Sequence, residues 1–141
     1  MKKTKIAFWA STVFIFLFEG IMPISTLLFA PEYANAGTKP LGYPDYFANM
    51  LIVCKFLGSL AILILALPAR VREWAYAGLT FNLIFATFSH IIVDGNPGYI
   101  AMPLVILAIL AVSYVTQGRV RSAATKRGDV SGLALQGLGA V

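Results

Sequence analysis

The sequence predicts an all-α fold, a bundle of four transmembrane helices, on three observations. Four apolar runs are each long enough to cross a bilayer, turn-forming segments separate them, and Lys and Arg crowd onto one side of the alternation. Composition agrees: 59% of the 141 residues are hydrophobic, 12% are charged, and mean hydropathy is +0.80. One domain of this length cannot bury so much apolar surface in its own core, so lipid must cover the rest. The net charge of +5 is spread over ends and loops, which argues against a nucleic-acid partner. Cys54 is the single cysteine, so neither an intramolecular disulfide nor a Cys-x-x-Cys redox pair can form.

The first span is read over 6–29, after Lys2, Lys3 and Lys5. Its 24 residues exceed the roughly 30 Å hydrocarbon core at about 1.5 Å per residue. Glu19 and this length argue against a cleaved secretory leader, whose apolar region is about 7 to 15 residues. Pro23 should kink the span or break its last turns, because its ring displaces the carbonyl four residues earlier. Residues 30–46, rich in Pro, Gly, Asn and Asp, form the longest loop. The second span covers 47–67, entered at Pro44-Asp45, and 68–73 is a short basic turn. The third span covers 74–93, Asp94-Gly95-Asn96-Pro97-Gly98 is a turn, and the fourth span covers 99–116 with Pro103 near its start. The membrane domain is thus 1–117. The basic, Gly-rich tail 118–141 is expected to be flexible, since 130–141 is too short for a fifth span.

Counting Lys and Arg in the loops gives orientation: both termini should be cytoplasmic, in a multi-pass protein of the inner membrane. Trp9, Trp74 and Tyr114 toward the basic side, and Tyr33, Tyr43, Tyr46 and Tyr99 toward the other, read as interfacial belts.

Two charges fall inside spans. Glu19 and Lys55 each lie roughly 12 to 15 Å from the outer helix ends at about 1.5 Å per residue, so they can be level. A lysine there costs about 2.5 to 3.5 kcal/mol on insertion scales unless it finds a partner or water. Glu19 is the natural partner, as an ion pair or a neutral pair, serving either to fix helix order or to form a site. Gly58 and Ser59 follow Lys55 by about one turn and admit a close neighbour. Cys54 is expected to be a small buried hydrophobe.

The third helix carries two stripes. Tyr76, Thr80, Leu83, Thr87, His90 and Asp94 recur at helical spacing, and Ala75, Gly78, Asn82, Ala86 and Ser89 form a small-residue neighbour in which Asn82 can bond across helices. The candidate intramembrane polar site is therefore Glu19, Lys55, Asn82, His90 and Tyr76. One His and one Cys make no metal-ligand constellation, and no phosphate loop, dinucleotide fingerprint or nucleophile elbow occurs, so no catalytic group or cofactor is assigned.

Taken together, Gly42-Tyr43-Pro44-Asp45-Tyr46-Phe47, Lys55-Phe56-Leu57-Gly58, Arg72-Glu73-Trp74-Ala75-Tyr76-Ala77-Gly78, Phe88-Ser89-His90 and Val112-Ser113-Tyr114 resemble the bacterial DoxX-like family. Arg72 stands where that pattern usually has Lys. The resemblance implies a four-helix membrane bundle and marks Tyr43, Pro44, Lys55, Gly58, Glu73, Trp74, Tyr76, Gly78 and His90. The family takes its name from a subunit associated with quinol oxidation, and distant relatives act as membrane chaperones or cargo receptors. Glu73 also has a purely local use, since an acid at the start of the third helix would suit its dipole.

The expected function is binding of a lipid-like small molecule, a quinone being possible, or of a membrane-protein partner, beside the Glu19, Lys55 and His90 cluster. The alternatives are an accessory subunit of a quinone-linked oxidoreductase and a proton-coupled transporter, which would have to act as a homo-oligomer.

Overall fold

A computed structural model describes residues 2–140 as helices and short connections, with no strand among them. Four helices are long and apolar enough to cross a membrane: Lys2–Phe29, Asp45–Leu63, Ala69–Val93 and Pro97–Gly139. The first is composite, running as α1 (Lys2–Ile15), a π-helical segment (Phe16–Ile21) and α2 (Met22–Phe29). Pro23 does not break it. Proline lacks an amide hydrogen and its ring crowds the carbonyl of Glu19, and the helix answers by widening over the preceding turn.

A short helix, α3 (Pro31–Ala34), and a single 3-10 turn (Lys39–Leu41) lie in the connection to α4 (Asp45–Leu63). The third and fourth spans are α5 (Ala69–Val93) and α6 (Pro97–Gly139). The first span packs against α4 and α6, and α5 closes the ring between those two. Thr4 shares a groove with Gly118 and Lys126, so the start of α1 and the later part of α6 lie at one end of the bundle.

The core is Ile15, Ile62, Tyr76, Leu79, Leu83, Ile106 and Leu110, with each span contributing. In lipid the apolar side chains gain little by leaving their surroundings, so close packing and interhelical hydrogen bonds must hold the helices together. Thr12 Oγ1 lies 2.6 Å from Ser113 Oγ, and Tyr76 OH lies 2.7 Å from the same oxygen, joining α1, α5 and α6 through buried hydroxyls. His90 and Tyr99 meet at the far end, with ring centroids 5.6 Å apart, so α5 and α6 run antiparallel in one register. Gly20 and Ser59 mark the closest approach of the first span to α4: a Cβ on Gly20 would collide with the Ser59 hydroxyl.

Several boundaries differ from those the pattern predicts. The second span ends at Leu63 rather than Leu67, where Ile64 leaves helical geometry at φ −83° and ψ 100°. Pro68 disfavours helical geometry at Leu67, and apolarity alone concealed that stop. The third span begins at Ala69, five residues early, because Ala69 to Glu73 are mostly good helix formers and the supposed basic turn is the helix's first turn. Arg72 is thereby fully buried, and its Nη2 donates to the Ile62 carbonyl at 3.0 Å across the connection. Glu73 is exposed and lies beyond the first turn of α5, so it does not serve the helix's first amides as expected. The fourth helix starts at Pro97 and continues to Gly139. Residues 118–139, part of the tail expected to be flexible, are helical and almost wholly exposed: their glycines cost about 1 kcal/mol each, and no proline follows Pro103 to stop the helix. Cys54 is exposed on the lipid-facing side of α4 instead of buried, because Ile52, Ser59 and Ile62 define the inward face.

Candidate functional site

The π-helical segment carries Glu19 into the bundle, where its side chain is 4% exposed. Lys55 enters from the middle of α4, and its Nζ lies 2.8 Å from Glu19 Oε2, a separation suited to a charge-assisted hydrogen bond. Asn82 of α5 donates from Nδ2 to the same oxygen at 3.5 Å, so three spans converge on one carboxylate. Lys55 keeps two further N–H donors, since an ammonium has three and Glu19 takes one.

Above this group is a cavity of about 320 Å³. Phe47, Leu51, Leu83, Phe85, Met102 and Ile106 form its apolar wall, with Glu19, Lys55 and Asn82 at one end and Ser89, His90 and Tyr99 at the other. Eight residues of α5 separate Asn82 from His90, which at about 1.5 Å each puts the two polar ends roughly 12 Å apart. The connection between α2 and α4 covers the second end through Gly37, Thr38, Leu41 and Tyr43. Gly42 turns that connection at φ +86°, a conformation only glycine adopts freely, and Tyr43 OH then lies 2.8 Å from Ser89 Oγ. Pro44, extended at ψ 153°, is the N-cap of α4.

At the rim, His90 Nδ1 and Asp94 Oδ2 are 2.8 Å apart, one turn of α5 from each other. Hydrogen bonds from His90 and from the Asn96 amide hold the Asp94 carboxyl below the usual carboxylate range. The sign follows from the depressed value: the contribution is complete above the unfolded carboxylate pKa of about 3.9 and is lost as pH falls through the lower folded value. Asp94→Asn is therefore expected to lower stability at neutral pH and to flatten the acid limb below about pH 4, so that the two profiles converge as Asp94 is protonated. Thermal unfolding of the two proteins across that range checks this, and parallel acid limbs would count against it.

Of the predicted site residues, Glu19, Lys55, Asn82 and His90 line one cavity. Tyr76 does not join them. It shares a stripe with His90, but fourteen residues at about 1.5 Å place it roughly 21 Å away along the axis. It belongs instead to the hydroxyl cluster with Thr12 and Ser113 and packs edge-on against Tyr114. Gly58, Trp74 and Gly78 line a smaller cleft between α4 and α5 that shares Leu51, Lys55 and Asn82 with the main cavity. Tyr43, read from sequence as a belt residue, is half-buried over the cavity, and Tyr99 edges the cavity while staying exposed, as Tyr33 and Tyr46 are. Ser89, which the sequence places only on the small-residue stripe with Asn82, lines this cavity too. Among the described residues, no three His, Cys, Asp or Glu side chains converge as metal ligands would.

Four membrane-length helices, exposed apolar side chains and a buried Glu19–Lys55 pair define a small multi-pass integral membrane protein with a largely apolar cavity that ends on polar groups. The description of the DoxX-like family matches residues 8–113, and the chain belongs to that family. No curated protein and no solved structure matches it.

Proposed function

We propose that the cavity binds a membrane-dissolved amphiphile, with its apolar chain along Phe47, Leu83 and Ile106 and an uncharged hydrogen-bonding head at Lys55. The observation that supports this reading is a largely apolar cavity ending on an ammonium group with two N–H donors beyond the one Glu19 takes. Glu19 balances the charge of Lys55, so a neutral head with a carbonyl or hydroxyl acceptor suits the site better than an ion. A quinone is one member of that class. If the occupant is a quinone, the chain serves as the membrane subunit of a redox assembly and a partner protein supplies the electrons. In this reading the basic ends face the cytoplasm of an inner membrane, following the distribution of Lys and Arg.

Extraction of the purified protein, with mass spectrometry and a visible spectrum of the extract, tests this. One amphiphile per chain is expected, reduced at least tenfold by Lys55→Met and by Ala86→Phe, which fills the cavity from the α5 wall. An extract holding only bulk lipid, in the same ratio for all three proteins, would refute ligand binding. A stoichiometric membrane protein in place of the amphiphile would favour a chaperone-like role.

A further inference from the structure

A second space of about 200 Å³ lies in the seam between α4 and α5. Cys54, Trp74 and Gly78 form its outer rim and are exposed, and Lys55 and Asn82 form its inner end. Leu51, Lys55 and Asn82 line the larger cavity as well, so the two spaces meet at the polar group. Small side chains keep the seam open. A Cβ on Gly78 would meet nothing within 4 Å, and one on Gly58 would make only ordinary contact with Leu79 at 3.6 Å. The loop end of the cavity is covered, with Tyr43 bonded to Ser89 across it. Of the two partners at the junction, Lys55 is the more open, at 21% against 4% for Glu19.

We propose that this seam is the ligand's way in: a membrane-dissolved amphiphile enters sideways between α4 and α5, its chain passing into the main cavity ahead of its head, which stops at Lys55. The inference rests on the reading of the cavity as a ligand site and adds where its occupant comes from. Entry through the seam keeps the apolar chain out of water at every stage, whereas the loop-covered end faces the aqueous boundary. Inside a rim that carries the Cys54 thiol and the Trp74 indole, the wall of the seam is apolar until Lys55 and Asn82, which are placed to receive the head. The occupant is accordingly a molecule partitioned into the hydrocarbon, not a solute delivered from either aqueous side.

Glu19 offers a readout that does not depend on knowing the ligand. Dicyclohexylcarbodiimide dissolves in the bilayer and activates carboxyl groups. At Glu19 the activated ester either rearranges to a stable acylurea label or is attacked by Lys55, giving an amide with loss of dicyclohexylurea. Mass spectrometry of the digested protein from proteoliposomes gives the summed rate of both products, taken together as labelling. Wild-type protein is expected to be labelled. Gly78→Leu, which adds bulk to the seam at a position where a Cβ meets nothing within 4 Å, and alkylation of Cys54 with a bulky maleimide should each slow labelling at least tenfold. Tyr43→Phe, which releases the loop, should leave the rate within twofold. Circular dichroism and gel filtration show that the variants remain folded. The proposal is overturned if wild-type Glu19 is not labelled, if neither seam block changes the rate, or if Tyr43→Phe accelerates it tenfold. Efficient oxidative crosslinking of two chains through Cys54 would overturn it too, because a second copy would then cover the seam. Seam-dependent labelling supports the route whatever the extraction finds, and its absence removes the route even where an amphiphile co-purifies.

Discussion

Lys55→Met is expected to destabilise the purified protein by about 3 to 5 kcal/mol, because it leaves the buried Glu19 carboxylate without its cation. Glu19→Gln should cost less, since the remaining ammonium is 21% exposed and has other directions in which to find water. The double variant should recover most of the loss. The pair costs a great deal to break and little to remove, so the two changes must be strongly non-additive. Unfolding in mixed micelles, followed by near-ultraviolet circular dichroism, gives the four stabilities. Strictly additive losses would show that Glu19 and Lys55 are not coupled.

The second large effect is expected at Gly20. An added methyl collides with the Ser59 hydroxyl and presses on Phe16 at 3.3 Å, both within packed helices. Gly20→Ala should therefore cost about 1 to 3 kcal/mol, the range for overfilling a close-packed site. Ser59→Ala alone loses only the bond from Ser59 Oγ to the Phe56 carbonyl, a local contact within α4. Combined with Gly20→Ala it opens the space the methyl needs, and most of the stability should return. The same unfolding assay decides this, and an unaffected single Gly20→Ala variant would show that the helices approach less closely than described.

The spans were legible because each is a long apolar run, and the depth of Glu19 and Lys55 followed from counting residues at a fixed rise. Three features escaped for physical reasons. The end of α4 is set by Pro68, outside the apolar run, so hydropathy carried the helix through residues that in fact turn the chain. Tyr76 and His90 share a helix face, and a stripe gives azimuth but not whether two groups meet, because Leu79 and Leu83 stand between them. Tyr43 and Tyr99 have the composition and depth of belt residues. What brings them to the cavity is tertiary: the hydroxyl of Tyr43 meets Ser89, and the ring of Tyr99, though still exposed, meets His90. The π-helical turn could have been suspected, since Pro23 lies four residues after the one acid in the span and disturbs the carbonyl of that same residue.

The antiparallel register of α5 and α6 restricts where this chain can change length. Tyr76 with Ser113 and His90 with Tyr99 fix the two helices at both ends, so a residue gained or lost between these points would rotate everything beyond it by about 100°. Such a change turns Ser113 away from Thr12 as well, and it would undo two helix contacts at once. Past Gln117 the fourth helix is mostly exposed, and the connection from Ala30 to Pro44 is largely so. Tags and fused domains belong past Gln117, and insertions in the connection belong before Gly37, where it does not line the cavity; divergence in length among related chains should collect in those two places.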